Sequence, residues 1–199
     1  MVSKVSIDYY NRQGAEFARA TSELDLQALY LPFLEHLPVG AVILDAGCGS
    51  GRASLAFLER GYQVLALDAS HTMVQECRLR TGLEPRCQSL ESLDDEQAFD
   101  GIWACASLLH IPRRELGNVF SRLHRALRPE GVLYASFKLG ATERTSDGRH
   151  FSDFPPALFR SWLEERTPAW ALSRVWETAD VRLGREHERW LNLLLFPVL

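Results

Sequence analysis

The order of apolar and polar stretches after residue 40 predicts alternating strands and helices. A short apolar run at residues 42–44 ends in Asp45, and a second, mostly apolar stretch at residues 62–67 ends in Asp68. The intervening residues 52–60 are typical of a helix and are followed by a glycine that favours its end. We therefore expect a buried strand, a loop, a helix and a second strand that also ends in an acid.

The rest of the chain divides into further elements by the same pattern and by its turn residues. Two helical pieces are predicted within residues 5–36, and Pro38 to Gly40 turn the chain into the first strand. The polar, glycine-bearing stretch at residues 140–152 is predicted to be a mobile loop. Ser70 is the expected N-cap of the helix predicted to begin at residue 71. Further helices are predicted at 71–80, 113–127 and 155–165, and further strands at 84–88, 99–106, 131–138, 169–178 and 187–197, the last two as an antiparallel pair.

The loop after the first strand carries glycine at every second position. Gly47, Gly49 and Gly51 follow a G-x-G-x-G spacing, whereas the dinucleotide fingerprint would place its third glycine at Arg52. Glycine lets backbone N–H groups approach a ligand closely. An acid about 20 residues further on, here Asp68, typically accepts hydrogen bonds from a ribose diol. The pattern therefore favours an adenosine-bearing cofactor other than a nicotinamide dinucleotide.

These residues resemble the first motifs of the class I S-adenosylmethionine-dependent methyltransferases. Downstream, residues 99–106, introduced by a Phe-Asp pair, resemble the fourth strand of that family, and residues 123–135 resemble its next helix, turn and fifth strand. Glu130 stands where a glycine is usual in that turn. The resemblance implies an α/β fold: a three-layer αβα Rossmann-like sandwich with a mostly parallel seven-stranded sheet, a C-terminal antiparallel strand and an N-terminal helical cap.

The resemblance also implies S-adenosyl-L-methionine as the cofactor and a set of residues that bind it. Asp45 is expected to hydrogen-bond loop amides or the cofactor's amino group, and Asp68 either holds the ribose or caps the helix that begins near Ser70. Ser89 and Leu90 fall where the family often has an acid near the adenine, so backbone groups would make that contact. The predicted cofactor-binding residues are Asp45, Gly47, Cys48, Gly49, Gly51, Asp68, Ala69, Met73, Ser89, Leu90 and Ala104.

The loop after the fourth strand supplies the predicted catalytic residues, His110 and Ser107. Ligands of open α/β folds bind at the carboxyl edge of the sheet, where this loop begins. Methyl transfer from a sulfonium gains mainly from positioning, so a general base is optional. His110 therefore either serves catalysis or holds the loop by a hydrogen bond.

The predicted substrate-binding residues are Tyr9, Tyr10, Lys138 and Arg149. Aromatic residues of the N-terminal helix either cover the cofactor, where their rings attract a sulfonium, or belong to the core. Cations in the segment that contains Lys138 and Arg149 either face an acceptor that bears an oxyanion or lie in a solvated loop.

Composition places limits on the class of protein. The length of 199 residues suits one methyltransferase domain over 1–199, with a cap at 1–38 and a core at 39–199. The four cysteines show no zinc-type spacing, so we expect no metal, and we expect a cytoplasmic protein without a signal peptide or membrane span. The net charge of −4 makes nucleic acid an unfavoured partner.

The sequence thus predicts methyl transfer from S-adenosylmethionine to a small molecule by a monomer or homodimer. An RNA or protein methyltransferase, or a module that binds the cofactor without catalysis, stays as an alternative. A nicotinamide oxidoreductase would need the longer glycine spacing.

Overall fold

A seven-stranded sheet forms the centre of the fold, in the order β3-β2-β1-β4-β5-β9-β8. The structure is a computed structural model that describes residues 4–198, so positions 1–3 of the predicted cap and position 199 of the predicted core lie outside the described residues. β9 runs antiparallel to both neighbours, and the other pairs are parallel. The strands of this sheet are β1 (Val42–Ala46), β2 (Gln63–Asp68), β3 (Arg86–Cys87), β4 (Phe99–Ala104), β5 (Leu127–Lys138), β8 (Trp170–Ala179) and β9 (Arg189–Pro197).

Helices cover both faces of the sheet and make three layers. The parallel strands are buried on both sides, which explains why β1 and β4 are nearly continuous apolar runs rather than alternating ones. The predicted αβα sandwich with its antiparallel strand is therefore confirmed. The helices are α1 (Lys4–Ala20), α2 (Gln27–Leu34), α3 (Arg52–Leu58), α4 (His71–Thr81), α5 (Arg113–Ala126) and α6 (Pro156–Arg166), and short 3-10 turns cover Leu90–Ser92 and Leu108–His110.

Each face of the sheet has its own hydrophobic cluster. On one face, Phe120 of α5 and Phe159 of α6 pack over buried strand residues such as Ile102. On the other, helices α2 and α3 pack over Trp103 and Tyr134, whose rings stack with centroids 3.9 Å apart. These clusters fix the strands rigidly, so the loops at the carboxyl edge of the sheet project from a well-supported frame.

The ends of α4 agree with the sequence prediction. The Ser70 hydroxyl accepts a hydrogen bond from the backbone N–H of Met73, and Gly82 ends the helix in the left-handed region with φ of 71°. Both are the expected capping arrangements. Among the described residues, no helix is both long enough and apolar enough to cross a lipid bilayer.

The prediction of a mobile loop at residues 140–152 is wrong. This segment forms an antiparallel hairpin of β6 (Glu143–Ser146) and β7 (Arg149–Ser152). Arg149, Phe151 and Ser152 are buried, because the hairpin packs against α1 and the turn that contains His110. Its two central turn residues, an Asp-Gly pair, both have positive φ, which is the geometry favoured in a two-residue hairpin turn.

Candidate active site

A cavity of about 700 Å³ lies at the carboxyl edge of the sheet. Residues at or after the ends of four parallel strands line it: Gly47 after β1, Asp68 at the end of β2, Ala106 after β4 and Lys138 at the end of β5. Its volume is within the usual range for small-molecule and cofactor sites. The fold therefore gathers loops from the middle of the sheet around one space.

Hydrogen bonds to the neighbouring strand β2 hold the glycine loop in place. The backbone N–H groups of Gly47 and Cys48 both donate to the carbonyl of Leu67, each at 2.9 Å. Gly47 has φ of +82°, and a Cβ at that position would lie only 2.4 Å from Cβ of Ser107. Only glycine satisfies both conditions, so this residue lets the loop after β1 touch the loop after β4.

Asp68 holds the glycine loop and also lines the cavity. One carboxylate oxygen accepts the N–H of Gly49 at 3.0 Å, and the other accepts the N–H of Ser70 at 2.8 Å. Burial raises the pKa of Asp68, while these backbone donors lower it. The residue thus keeps the start of α4 and the glycine loop in place, and a carboxylate has further lone pairs that can accept hydrogen bonds.

Asp45 is paired with a residue that the sequence analysis missed. Its carboxylate accepts a 2.6 Å hydrogen bond from the hydroxyl of Ser54 on α3. Although Asp45 lines the cavity, it is only 2% exposed, and this burial raises its pKa to about 6. Asp45 therefore titrates close to neutral pH, and a cation placed beside it would favour its ionised form.

Most of the predicted cofactor-binding residues line the cavity together. Gly47, Cys48, Gly49, Ala69, Met73 and Leu90 do so, in addition to the two aspartates. Gly51, Ser89 and Ala104 are not among its lining residues. Gly51 begins α3 and faces Cys77, Ala104 is fully buried in β4, and the Ser89 hydroxyl lies 3.4 Å from that of Ser92. Gln88, which the sequence analysis did not select, lines the cavity beside Leu90.

The turn after β4 brings Ser107 and His110 to the cavity. Ala106 adopts a left-handed backbone with φ of 53°, and its N–H donates to the Ser136 hydroxyl at 2.8 Å. Such a conformation is strained for a residue with a side chain and persists because its surroundings hold it. Among the described residues, the Ser107 hydroxyl is buried without a hydrogen-bond partner. It is therefore available to a bound molecule.

Both ring nitrogens of His110 are engaged. Nδ1 lies 2.7 Å from the carbonyl oxygen of His150, which can only accept, so Nδ1 carries the proton. Nε2 therefore accepts the hydrogen bond of the Tyr10 hydroxyl, at 3.0 Å. Burial lowers the pKa of His110 to about 4, and its ring is neutral at neutral pH. His110 thus faces the cavity through Tyr10, which the sequence analysis had assigned a separate role.

Helix α1 lies across the cavity from α4 to the β6–β7 hairpin. On the α4 side, the Asn11 side chain accepts a 2.8 Å hydrogen bond from the Ser70 hydroxyl. On the hairpin side, the Ser6 hydroxyl accepts the N–H of His150 at 2.9 Å. Tyr10 lines the cavity, whereas Tyr9 lies behind it and stacks on Arg149, whose Cζ is 4.6 Å from the ring centroid.

The two predicted substrate-binding cations differ in their surroundings. Lys138 donates to Asp180 at 2.8 Å and also to Glu188, so its charge is neutralised by two acids. Arg149 is 6% exposed, and its nearest carboxylate oxygen, on Asp147, is 3.7 Å away. Among the described residues, Nε of Arg149 has no hydrogen-bond partner.

The connection between β8 and β9 supplies a wall of the cavity that the sequence analysis missed. Several of its residues line the space, including Asp180, Arg182 and Glu188. Asp180 is the centre of this wall, because Lys138, Arg182 and the Trp190 indole N–H all donate to its carboxylate. Local sequence does not indicate that this connection lies at the cavity, because its location depends on the order of the strands in the sheet.

Comparison with known proteins assigns the chain to a family. A family model described as "Methyltransferase domain" matches residues 43–131. A ubiquinone biosynthesis O-methyltransferase of Xanthomonas campestris pv. campestris is 34% identical over 180 residues, which cover 77% of this chain and 69% of the relative. The chain belongs to the class I S-adenosylmethionine-dependent methyltransferases. S-adenosylmethionine is the cofactor of this methyltransferase family, as the sequence analysis expected.

Other methyltransferases match over shorter parts of their length or at lower identity. A malonyl-[acyl-carrier protein] O-methyltransferase of Salmonella typhimurium is 35% identical over 134 residues, which cover 62% of this chain and 53% of the relative. The match to a ubiquinone biosynthesis O-methyltransferase of Xanthomonas axonopodis covers 62% of the length of that relative. The chain therefore spans a little more than half of the length of these two relatives.

A solved methyltransferase structure shows the same fold. The Burkholderia thailandensis 1,6-didemethyltoxoflavin-N1-methyltransferase, with bound 1,6-didemethyltoxoflavin and S-adenosylhomocysteine, aligns with a TM-score of 0.80. The alignment covers 98% of this chain and 88% of that chain at 22% identity.

The residues that line the cavity fit the family's cofactor. Asp68 offers a desolvated carboxylate beside a loop whose N–H groups are fixed, which suits a ribose diol. Asp45 and Ser107 add a carboxylate and an unpartnered hydroxyl along the same cavity. Among the described residues, no cluster of three or more possible metal ligands is present.

Proposed function

We propose that the protein transfers the methyl group of S-adenosylmethionine to an oxygen atom of a small-molecule acceptor, releasing S-adenosylhomocysteine. The observation that carries this proposal is that one cavity is lined both by the glycine loop with Asp68 and by Tyr10, Ser107 and Arg149. The first group suits a nucleoside, and the second leaves polar groups for an acceptor. The O-methyltransferase relatives support oxygen as the acceptor atom.

In the proposed site, the carboxyl ends of β1 and β2 would hold the cofactor. Asp68 would accept the ribose hydroxyls, Asp45 would attract the amino group of the methionine moiety, and Met73 and Leu90 would pack on the adenine. Gly47, Cys48, Gly49 and Ala69 provide backbone groups beside the ligand. Gly51, Ser89 and Ala104 would act from behind the cavity by shaping the loop, the turn and the strand that carry the lining residues.

The chain's contribution to catalysis is mainly positional. When bound, the sulfonium supplies an already activated methyl group, and alignment of the acceptor oxygen with the breaking bond can be worth about 7 to 11 kcal/mol in favourable cases. Residues of helix α1 and of the hairpin line the space and shield part of it from water. Tyr10 and Ser107 orient the acceptor, and His110 acts as a positioning residue because it fixes the hydroxyl of Tyr10.

A small acceptor fits better than a macromolecule. The acceptor side of the cavity is lined by α1, the β6–β7 hairpin and the β8–β9 connection, which limit the size of an acceptor, and a net charge of −4 does not favour RNA. The free thiols of Cys48, Cys77, Cys87 and Cys105 suit the reducing cytoplasm that we propose as the location, with a monomer or homodimer as the working form.

Ligand binding followed by a transfer assay tests the function. S-adenosylhomocysteine should raise the melting temperature in a thermal-shift assay, whereas NADH should not. The protein is then incubated with methyl-labelled S-adenosylmethionine and a metabolite extract, and labelled small molecules are separated from RNA and protein. Label in macromolecules alone would contradict a small acceptor. Cofactor binding with no labelled product would favour a module without catalysis.

A further inference from the structure

Arg149 is a buried cation that lines the cavity and has an unpaired Nε donor among the described residues. Its guanidinium stacks between two rings, with Cζ 4.6 Å from the centroid of Tyr9 and 5.2 Å from that of Phe151. Stacking occupies the faces of the guanidinium, so its N–H groups, which point outward in the plane, stay accessible to acceptors such as the Tyr10 hydroxyl. The side chain is 6% exposed and lines the cavity, and within residues 4–198 its Nε has no hydrogen-bond partner. An unmet buried donor is costly, so an acceptor atom in the cavity would be stabilising.

Three cations near Arg149, namely Lys138, Arg182 and Arg144, are already paired with carboxylates. Lys138 is held by Asp180 and Glu188, and Arg182 donates to Asp180 at 2.6 Å. Arg144, on the same hairpin as Arg149, donates to Asp153 at 2.6 Å. The carboxylate nearest to Arg149 belongs to Asp147, whose side chain is 70% exposed and 3.7 Å away, so water screens that pair. A ligand in this part of the cavity would therefore meet the positive charge of Arg149.

Arg149 lies close to Tyr10, whose hydroxyl is held in place by His110. The His150 carbonyl sets the tautomer of His110, and His110 in turn takes the hydroxyl proton of Tyr10 as a hydrogen bond. Arg149 acts on the same phenol and lowers its pKa against the larger effect of burial. With both nitrogens occupied and a low pKa, His110 is poorly suited to remove a proton from an acceptor. An acceptor that is already ionised needs no such base.

We propose that the acceptor presents an oxyanion to Arg149, and that this oxygen receives the methyl group; the second half rests on the proposed function. A lone pair of the oxyanion forms the new O–C bond, the C–S bond breaks, and its electron pair stays on sulfur. The sulfonium becomes a neutral thioether, the acceptor oxygen loses its negative charge on becoming part of an ester or ether, and no proton is released. Because the product has lost its charge, its attraction to Arg149 falls and its release is favoured.

Matched pairs of probes test the charge preference by calorimetry on the protein saturated with S-adenosylhomocysteine. The pairs are benzoate and benzamide, phenylphosphonate and its dimethyl ester, and 4-nitrophenolate and 4-nitroanisole, which separate carboxylate, phosphonate and phenolate chemistry. At least one anion should bind about tenfold or more tightly than its neutral partner. Arg149→Met should remove that preference, and Arg149→Lys should retain part of it. Arg174→Met is the matched control, since Arg174 stacks on Trp176 on the exposed face of β8, away from the cavity.

The outcomes separate this inference from the proposed function. Equal affinity for anions and neutral partners, or a preference that survives Arg149→Met, overturns the inference even if methyl transfer to some acceptor is observed. Loss of S-adenosylhomocysteine affinity in Arg149→Met, without a change in the anion preference, would place Arg149 on the cofactor and also overturns it. An anion preference that depends on Arg149 supports the oxyanion site even if no methylated product is found, in which case only the proposed function fails.

Discussion

The Tyr10 hydroxyl and Nε2 of His110 lie 3.0 Å apart, although 100 positions separate them in the chain. This hydrogen bond joins the helix that covers the cavity to the turn after β4. The tautomer of His110, set by the carbonyl of His150, makes Tyr10 the donor. The two residues therefore act as one unit, and substitution of either should disturb the other.

Removal of the histidine should affect turnover more than cofactor binding. In His110→Gln and Tyr10→Phe we expect kcat to fall about 10-fold or more, because the first variant disturbs the orientation of the Tyr10 hydroxyl and the second removes that hydroxyl, with little change in affinity for S-adenosylhomocysteine. Steady-state kinetics and calorimetry check this. His36→Gln is the control, since His36 is exposed and packs on Phe196. A loss of cofactor affinity equal to the loss of kcat would instead place the pair at the cofactor.

The low pKa of His110 predicts a specific pH dependence of stability. Its pKa falls from 6.5 in the unfolded chain to about 4 in the fold, so the stability it contributes is present above pH 6.5 and is lost as the pH falls to 4. The full loss of unfolding free energy is about 3 kcal/mol.

Asp45, with its pKa raised to about 6, has the opposite effect on the pH dependence of stability. The stability that it contributes is present below pH 3.8 and is lost as the pH rises through 6.

The difference between wild type and His110→Gln isolates the histidine, because both proteins keep Asp45. Urea denaturation from pH 7 to pH 4 should show the unfolding free energy of wild type falling relative to that of the variant. A constant difference across this range would show that the pKa of His110 is not depressed.

Glycine at position 47 should be irreplaceable for steric rather than conformational reasons. Gly47 and Gly61 share φ of +82°, but a Cβ at position 61 meets nothing within 4 Å, whereas one at position 47 collides with Ser107. Gly61→Ala should cost about 1 to 2 kcal/mol of stability and leave cofactor affinity unchanged. Gly47→Ala should cost more and abolish binding of S-adenosylhomocysteine. Denaturation and calorimetry on both variants check this, and equal effects would contradict the collision.

Asp68 should contribute directly to cofactor affinity. Asp68→Asn keeps an oxygen for only one of the N–H groups of Gly49 and Ser70 and removes the charge, so we expect affinity for S-adenosylhomocysteine to fall by about 1.5 to 3 kcal/mol. Asp94→Asn is a control at an exposed position. Calorimetry that shows unchanged affinity in folded Asp68→Asn would remove this residue from the proposed ribose site.

The parts of the site that follow one another closely in the chain were predictable from sequence. The glycine loop and Asp68 belong to consecutive strands, so local pattern and spacing were enough to place them together. The hairpin at Arg149 was missed because its polar composition was given more weight than its Asp-Gly turn. The partner of His110 and the role of Asp180 were not predictable, because both depend on contacts between segments far apart in sequence.

The reversed direction of β9 has a consequence for how this fold can change its acceptor. β8 ends and β9 begins at the carboxyl edge of the sheet, where the parallel strands also end. Residues 180–188 therefore lie beside the cavity, while the two strands that they connect belong to the sheet. Exchange of residues 180–188 alone would change one side of the cavity and leave the glycine loop and Asp68 unchanged. Under the proposed function, acceptor selectivity and cofactor binding would therefore depend on separate segments of the chain.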